Sequence, residues 1–115
     1  MAVTTKPPLL ATLAEARRAP LPAGRLSALL MEHGTMQLRH YKPPAGGDPQ
    51  KPHDQDELYV VMNGTGFFRC DDQRVMFAPG DVLYAGAGAV HRFEDYSADT
   101  ELWVVFYGPK GGEAA

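Results

Sequence analysis

The sequence predicts an all-β fold, a sandwich or barrel of short strands preceded by one short helix. After Gly24, eight short segments recur at roughly regular spacing, and turn-forming pairs such as Asn63-Gly64 and Pro79-Gly80 separate them. Short strands punctuated in this way are typical of antiparallel sandwiches and barrels. The predicted strands are Arg25–Glu32, Thr35–Tyr41, Glu57–Met62, Gly66–Cys70, Arg74–Phe77, Val82–Tyr84, His91–Asp95 and Glu101–Tyr107.

The flanking segments complete a one-domain organisation, because 115 residues leave no room for a second core of ordinary size. The pattern predicts an N-terminal arm over residues 1–24, a barrel over 25–107 and a frayed tail over 108–115. Within the arm, apolar residues between Pro8 and Ala19 recur at helical spacing until Pro20 interrupts them, which predicts a short amphipathic helix. The proline-rich stretch 43–52 is predicted to be a loop.

Composition excludes several classes of protein. Eleven Lys and Arg against 14 Asp and Glu give a net charge of −3, which argues against a partner that is nucleic acid or an anionic membrane. Cys70 is the one cysteine, so no disulfide forms within the chain. The opening residues contain no apolar run of the length of a signal-peptide core or a membrane span. We therefore expect a cytoplasmic protein.

Two histidines and a glutamate carry the chemistry of this sequence. On an extended strand, residues 53, 55 and 57 share a face, so His53 and Glu57 point the same way with Gln55 between them, and His91 arrives from a later strand. Two imidazoles and a carboxylate form a ligand set suited to Fe, Mn, Ni or Zn. The alternative is that His53 is a loop residue, Glu57 an outward charge and His91 a hydrogen-bonded core residue.

The order of these residues resembles the two signature motifs of the cupin family. Residues 53–64 match the first motif through His53, Glu57 and a glycine at the family's spacing, and residues 80–91 match the second through two glycines and His91. Gly86 stands where the family has proline, and Asp95 where it has asparagine. The resemblance covers residues 25–107 and implies a jelly-roll barrel (double-stranded β-helix), a divalent metal bound by His53, Glu57 and His91, and a homodimer.

One departure from the motif concerns Lys51, which occupies the place of the family's first histidine. An ammonium group does not bind metal. Either the metal has three protein ligands and open positions, or Lys51 pairs with Glu57 and replaces the cation. Gln55 offers a carbonyl oxygen as a further ligand, although a hydrogen bond at the strand end is favoured over that role.

The resemblance leaves the reaction open, because cupins include dioxygenases, isomerases, decarboxylases, ligand-binding domains and storage proteins. The first hypothesis is a metal-binding cupin that holds a small oxygen-rich organic molecule, as a dioxygenase or an isomerase does. The second is a non-catalytic module, metal-free or not, that senses a sugar or a carboxylate. Two other residues are assigned structural roles: His40 in the core or the pocket wall, and Cys70 at the end of a strand.

Overall fold

A computed structural model describes residues 6–114. In this part of the chain one helix precedes eight strands: α1 (Leu13–Arg18), β1 (Ser27–His33), β2 (Met36–Tyr41), β3 (Asp56–Asn63), β4 (Gly66–Cys70), β5 (Gln73–Phe77), β6 (Val82–Ala85), β7 (His91–Glu94) and β8 (Glu101–Tyr107). Each predicted strand forms, with ends displaced by no more than two residues. None of the described helices has the length and apolar character needed to cross a membrane.

The strands form two antiparallel sheets, which confirms the predicted all-β jelly roll. The larger sheet has the order β1-β2-β8-β3-β6, and the smaller has the order β5-β4-β7. Between them lies an aromatic core in which the Phe93 ring stands 5.0 Å from Phe68 and 5.1 Å from Tyr59, measured between ring centroids. Burial of such side chains is the main favourable term in folding.

Register decides which side chains of the larger sheet face this core. Tyr59, which is fully buried, pairs with Val104 across β3 and β8, and Glu57 pairs with Phe106. Side chains alternate along a strand, so Glu57 faces inward on the same side as Tyr59. A carboxylate is thereby carried to one end of the interior.

The turn between β3 and β4 depends on Gly64. Its φ of +93° lies in the region that favours glycine, and a Cβ atom there would stand 2.3 Å from Oγ1 of Thr100. No side chain fits at that distance without displacing the turn before β8. The close packing against Thr100 therefore explains the presence of glycine at this position of the first motif.

Helix α1 is shorter than the predicted Pro8–Ala19 segment. The Thr12 side chain accepts a hydrogen bond from the Glu15 amide and so caps the first turn, which starts the helix at Leu13. From the last turn, Arg17 forms a two-pronged ion pair with the buried Glu101 of β8, at 2.8 and 2.9 Å. This pair fixes the arm to the barrel.

The C-terminal segment, for which fraying was expected, is hydrogen-bonded to the barrel over residues 108–113. The amides of Gly111 and Glu113 donate to the Asp54 carbonyl and to the Asp56 carboxylate, at 2.7 and 2.8 Å. Residue 115 lies outside the described residues. The sequence signal of small and polar residues did not reveal these backbone contacts.

Candidate metal centre

The three predicted ligands lie together at one end of the barrel. Glu57 is the second residue of β3, His91 is the first residue of β7, and His53 lies in the loop three residues before β3. One ligand atom from each residue lies within 4.8 Å of the others. Glu57 and His91 are buried, whereas the His53 side chain is one-third exposed.

His91 is held in one tautomer. Its Nδ1 lies 2.9 Å from the Ala89 carbonyl oxygen, which can only accept, so Nδ1 carries the proton and donates it. The lone pair is then left on Nε2, which faces Glu57. A histidine that binds a metal through one ring nitrogen usually donates a hydrogen bond of this kind from the other.

Two buried polar atoms at this point lack hydrogen bonds. Nε2 of His91 lies 2.8 Å from Oε1 of Glu57, a distance typical of an ion pair, but the angle is not that of a hydrogen bond. In the described part of the chain, neither Nε2 of His91 nor Oε2 of Glu57 has a hydrogen-bond partner. Unsatisfied buried groups are costly and rare, and a cation between the two atoms would satisfy both.

Backbone and side-chain contacts fix the position of His53. The Gly88 amide donates to the His53 carbonyl at 2.7 Å, which ties the loop before β3 to the loop before β7. The ring stacks edge-on against Phe106, with centroids 5.0 Å apart. Its Nε2 lies 3.9 Å from Oε1 of Glu57 and 3.5 Å from Oε1 of Gln50.

The protonation of the two histidines follows from their surroundings. Burial lowers the pKa of His53, more than the Glu57 charge raises it, so this ring is neutral and able to bind a metal near pH 7. Burial also acts to lower the pKa of His91, but the adjacent Glu57 carboxylate raises it on balance. The negative charge of Glu57, which raises the pKa of His91, would also attract a cation.

Two side chains near the site do not join the ligand cluster. The strand begins at Asp56, so the strand alternation expected for residues 53, 55 and 57 does not extend back to Gln55. The Gln55 amide instead donates to the carbonyls of Thr35 and Gly108 at 3.0 and 2.9 Å, which is the hydrogen-bonding role favoured from the sequence. Lys51 is exposed and, among the described residues, forms no ion pair with Glu57.

The remaining candidates have structural contacts. Nε2 of His40 lies 2.7 Å from Oε2 of the buried Glu101, which also accepts from Asn63 at 2.8 Å. His40, on β2, is thus a buried residue bonded to Glu101 and is not part of the candidate cluster. Burial raises the pKa of the Cys70 thiol, which makes it a poor nucleophile and agrees with a structural role.

Sequence reasoning missed the polar support of the site. The fully buried Tyr59 donates from its hydroxyl to Oε1 of Gln50 at 2.9 Å, and Asp48 accepts from the Gln50 amide at 2.7 Å. Strand alternation from Glu57 could have identified Tyr59 as an inward residue. Gln50 and Asp48 belong to an irregular loop, where no periodicity indicates direction.

Two cavities lie near the loop 43–52. A cavity of about 450 Å³ has His53, Gln50 and Phe106 in its wall, so it adjoins one of the three candidate ligands, His53. A larger one of about 820 Å³ lies between the loop and the end of β7 and includes none of the three ligands. The smaller cavity is the one that belongs with the site.

The same stretch of chain matches a known family. The family model described as the cupin domain matches residues 37–107, which include His53, Glu57 and His91. The chain belongs to the cupin family. The resemblance drawn from the two motifs is thereby confirmed.

Individual similar proteins agree with this assignment. An uncharacterized protein of Streptomyces coelicolor is 40% identical over 63 residues, which cover 55% of this chain and 60% of that protein. The transcriptional activator RhaR, of the helix-turn-helix type, from Mannheimia succiniciproducens is 32% identical over 59 residues, which cover 51% of this chain and 20% of RhaR. The match thus spans about three-fifths of the Streptomyces coelicolor protein and about one-fifth of RhaR.

A solved structure shows the same fold. The cupin 2 conserved barrel domain protein of Salinispora arenicola superposes with a TM-score of 0.62 at 19% identity, and the match covers 94% of this chain and 91% of that protein. At this identity the similarity concerns the fold, so the chemistry must be argued from the site itself.

Proposed function

We propose that this cupin binds one divalent metal ion through His53, Glu57 and His91 and holds a small oxygen-rich organic ligand beside it. The observation that carries the proposal is the pair of buried atoms without hydrogen bonds, Nε2 of His91 and Oε2 of Glu57. Imidazole nitrogen and carboxylate oxygen are both common ligand atoms of Zn, Fe, Mn and Ni. The buried ring and carboxylate cost free energy in the folded chain, and a bound cation offsets that cost.

The ligand set supports substrate binding at the metal. Two imidazoles and one carboxylate leave coordination positions open, and a metal held in this way supplies Lewis-acid or oxygen-activating chemistry when bound. The chain's own groups prepare the site. The Ala89 carbonyl accepts a hydrogen bond from Nδ1 of His91, so that in the neutral ring Nε2 carries the lone pair, and the Gly88 amide fixes the backbone of His53. Phe106 packs edge-on against the His53 ring and so supports its orientation.

Metal content and titration test the proposal. The purified protein should bind about one metal ion per chain, measured by elemental analysis after titration and removal of excess metal. Glu57→Gln keeps the shape of the side chain but removes its charge, so stoichiometric binding should be lost. His33→Ala is the matched control, since His33 is an exposed histidine at the end of β1. Equal metal content in Glu57→Gln and wild type contradicts the site.

A second candidate function is a non-catalytic ligand-binding or sensor module. The supporting observation is the similarity to RhaR, a transcriptional activator of which this cupin matches one-fifth. The two candidates differ in the fate of the ligand. A sensor returns its ligand unchanged after incubation with the metal-loaded protein, whereas a dioxygenase or isomerase yields a product that mass spectrometry or NMR detects.

The oligomeric state and the location of the protein are part of the same proposal. We expect a homodimer, because the edge strand β1 exposes Leu29, and Leu26 just before it is also exposed. Light scattering at micromolar concentration should give twice the mass of the chain, and a monomer contradicts this.

The single cysteine and the acidic balance favour a cytoplasmic protein with no nucleic-acid partner.

A further inference from the structure

The cavity beside His53 has a positive wall in a protein of negative net charge. The chain carries a charge of −3, yet Arg25 and Lys51 both line the cavity of about 450 Å³. None of its lining residues, all of them within residues 6–114, is Asp or Glu. Arg25 and Lys51 are exposed and form no ion pair within the described chain. Both cations are therefore free to meet a ligand.

A third cation lies buried against this wall. Arg39 is 5% exposed, and its guanidinium donates to the hydroxyl and carbonyl oxygens of Ser27 at 2.7 and 2.9 Å and to Oε1 of Gln37 at 3.0 Å. Ser27 itself lines the cavity. All three acceptors are neutral, so within residues 6–114 the buried charge has no carboxylate in ion-pair contact.

The charge of Arg25 acts on the buried Arg39. Burial, and then the charge of Arg25, lowers the pKa of Arg39, against an opposing effect of Glu32. Like charges kept close together destabilise one another, and an anion between them relieves the repulsion.

One acid that contacts two residues of this wall, Asp48, already accepts several hydrogen bonds. Asp48 accepts from the Tyr41 hydroxyl and the Gln50 amide, and its Oδ2 also accepts from the Phe93 backbone amide at 2.9 Å. It lines the larger cavity rather than this one. Its carboxylate oxygens are occupied by these three contacts, so Asp48 forms no ion pair with Arg25 or Lys51.

We propose that this cavity binds a small organic anion, with its carboxylate or phosphate group between Arg25 and Lys51 and its apolar body against Val104 and Phe106. The volume lies within the range of small-molecule sites, roughly 300–1,000 Å³. Arginine and lysine are the side chains that recognise such oxyanions. The inference deepens the proposed function, since it gives the chemical class of the ligand that sits beside the metal residues.

The test uses the full chain after dialysis against a chelator, so that anion binding is measured without metal. The probes are benzoate, its neutral counterpart benzamide, and phenyl phosphate, titrated by calorimetry at constant low ionic strength. Amide NMR shifts at Ser27 and Gln50 report the position of the bound probe. We expect saturable binding of benzoate or phenyl phosphate, at least tenfold tighter than that of benzamide; the tighter of the two anions identifies the group.

The charge requirement is tested by a double variant and a matched control. Arg25→Gln with Lys51→Gln should weaken binding of the preferred anion at least tenfold. Lys6→Gln with Arg18→Gln removes the same charge from exposed positions of the N-terminal arm, and should change the affinity by less than twofold. The proposal is overturned if neither anion binds more tightly than benzamide, or if the preferred anion has equal affinity for the wild type and the cavity variant.

Metal and anion titrations of the same protein test the metal centre and the anion site separately. Metal titration of the Arg25→Gln, Lys51→Gln variant should still give one ion per chain, because neither residue is a candidate ligand. If metal binds and the anions do not, the anion site is wrong and the metal centre stands. If the anions bind as expected and metal does not, the metal centre is wrong and the anion site stands.

Discussion

Acid should weaken the folded state through Glu101, whose carboxylate is enclosed by donors. Hydrogen bonds from Arg17, with smaller contributions from His40 and Asn63, lower the pKa of Glu101 from 4.5 to about 2, although burial opposes the change. The folded pKa lies below the unfolded one, so the stabilisation is present above pH 4.5 and is lost as the pH falls towards 2. At 1.36 kcal/mol per pKa unit, the loss is about 2 kcal/mol at pH 3 and about 3 kcal/mol at pH 2.

Urea denaturation at pH 7, 5, 3 and 2 measures this loss, with Glu101→Gln as the comparison. The variant is less stable at every pH because it leaves Arg17 and His40 with a weaker partner, but it lacks the titrating group. The free energy of unfolding of the wild type should therefore fall by about 2 kcal/mol more than that of Glu101→Gln between pH 7 and 3. Other carboxylates titrate in both proteins and cancel. Parallel pH profiles refute the role given to Glu101.

Three further substitutions test the rest of the structure. His91→Ala should abolish metal retention in elemental analysis while circular dichroism shows that the strands persist; unchanged metal content means that another site binds the ion. Lys51→His should tighten Zn or Ni binding by about tenfold in calorimetry, since an imidazole replaces an ammonium in the wall that also holds His53; equal affinities show that position 51 faces away from the metal. Gly64→Ala should cost about 3 kcal/mol in urea denaturation, because strain at positive φ adds to the overlap with Thr100. Gly80→Ala is its control, with a φ of +92° but no atom within 4 Å of the added Cβ, and should cost about 1 kcal/mol; equal losses rule out the overlap.

The strands could be predicted because their signals are local. Alternating apolar residues and turn pairs such as Asn63-Gly64 mark the strands, whereas most of the strand pairs, such as β2 with β8, join segments that are distant along the chain. The helix was predicted too long because spacing alone does not show where capping begins; the Thr12 hydroxyl decides that point.

The site was only partly accessible from sequence. Motif spacing indicated Glu57 and His91 as candidates, and they lie together although β3 and β7 belong to different sheets. The direction of loop side chains depends on contacts distant in sequence, such as Gly88 with the His53 carbonyl and Gln50 with Tyr59. For the same reason strand alternation did not apply to Gln55, and the hydrogen bonds of the C-terminal segment were not foreseen.

X-ray diffraction from crystals of the zinc-loaded protein, recorded at the absorption edge of zinc, locates the bound ion. We expect one anomalous peak per chain, bonded to Nε2 of His53, Nε2 of His91 and the carboxylate of Glu57, with Zn–N distances of about 2.0–2.1 Å. A peak bound to other residues, or no peak at this cluster under saturating zinc, contradicts this expectation.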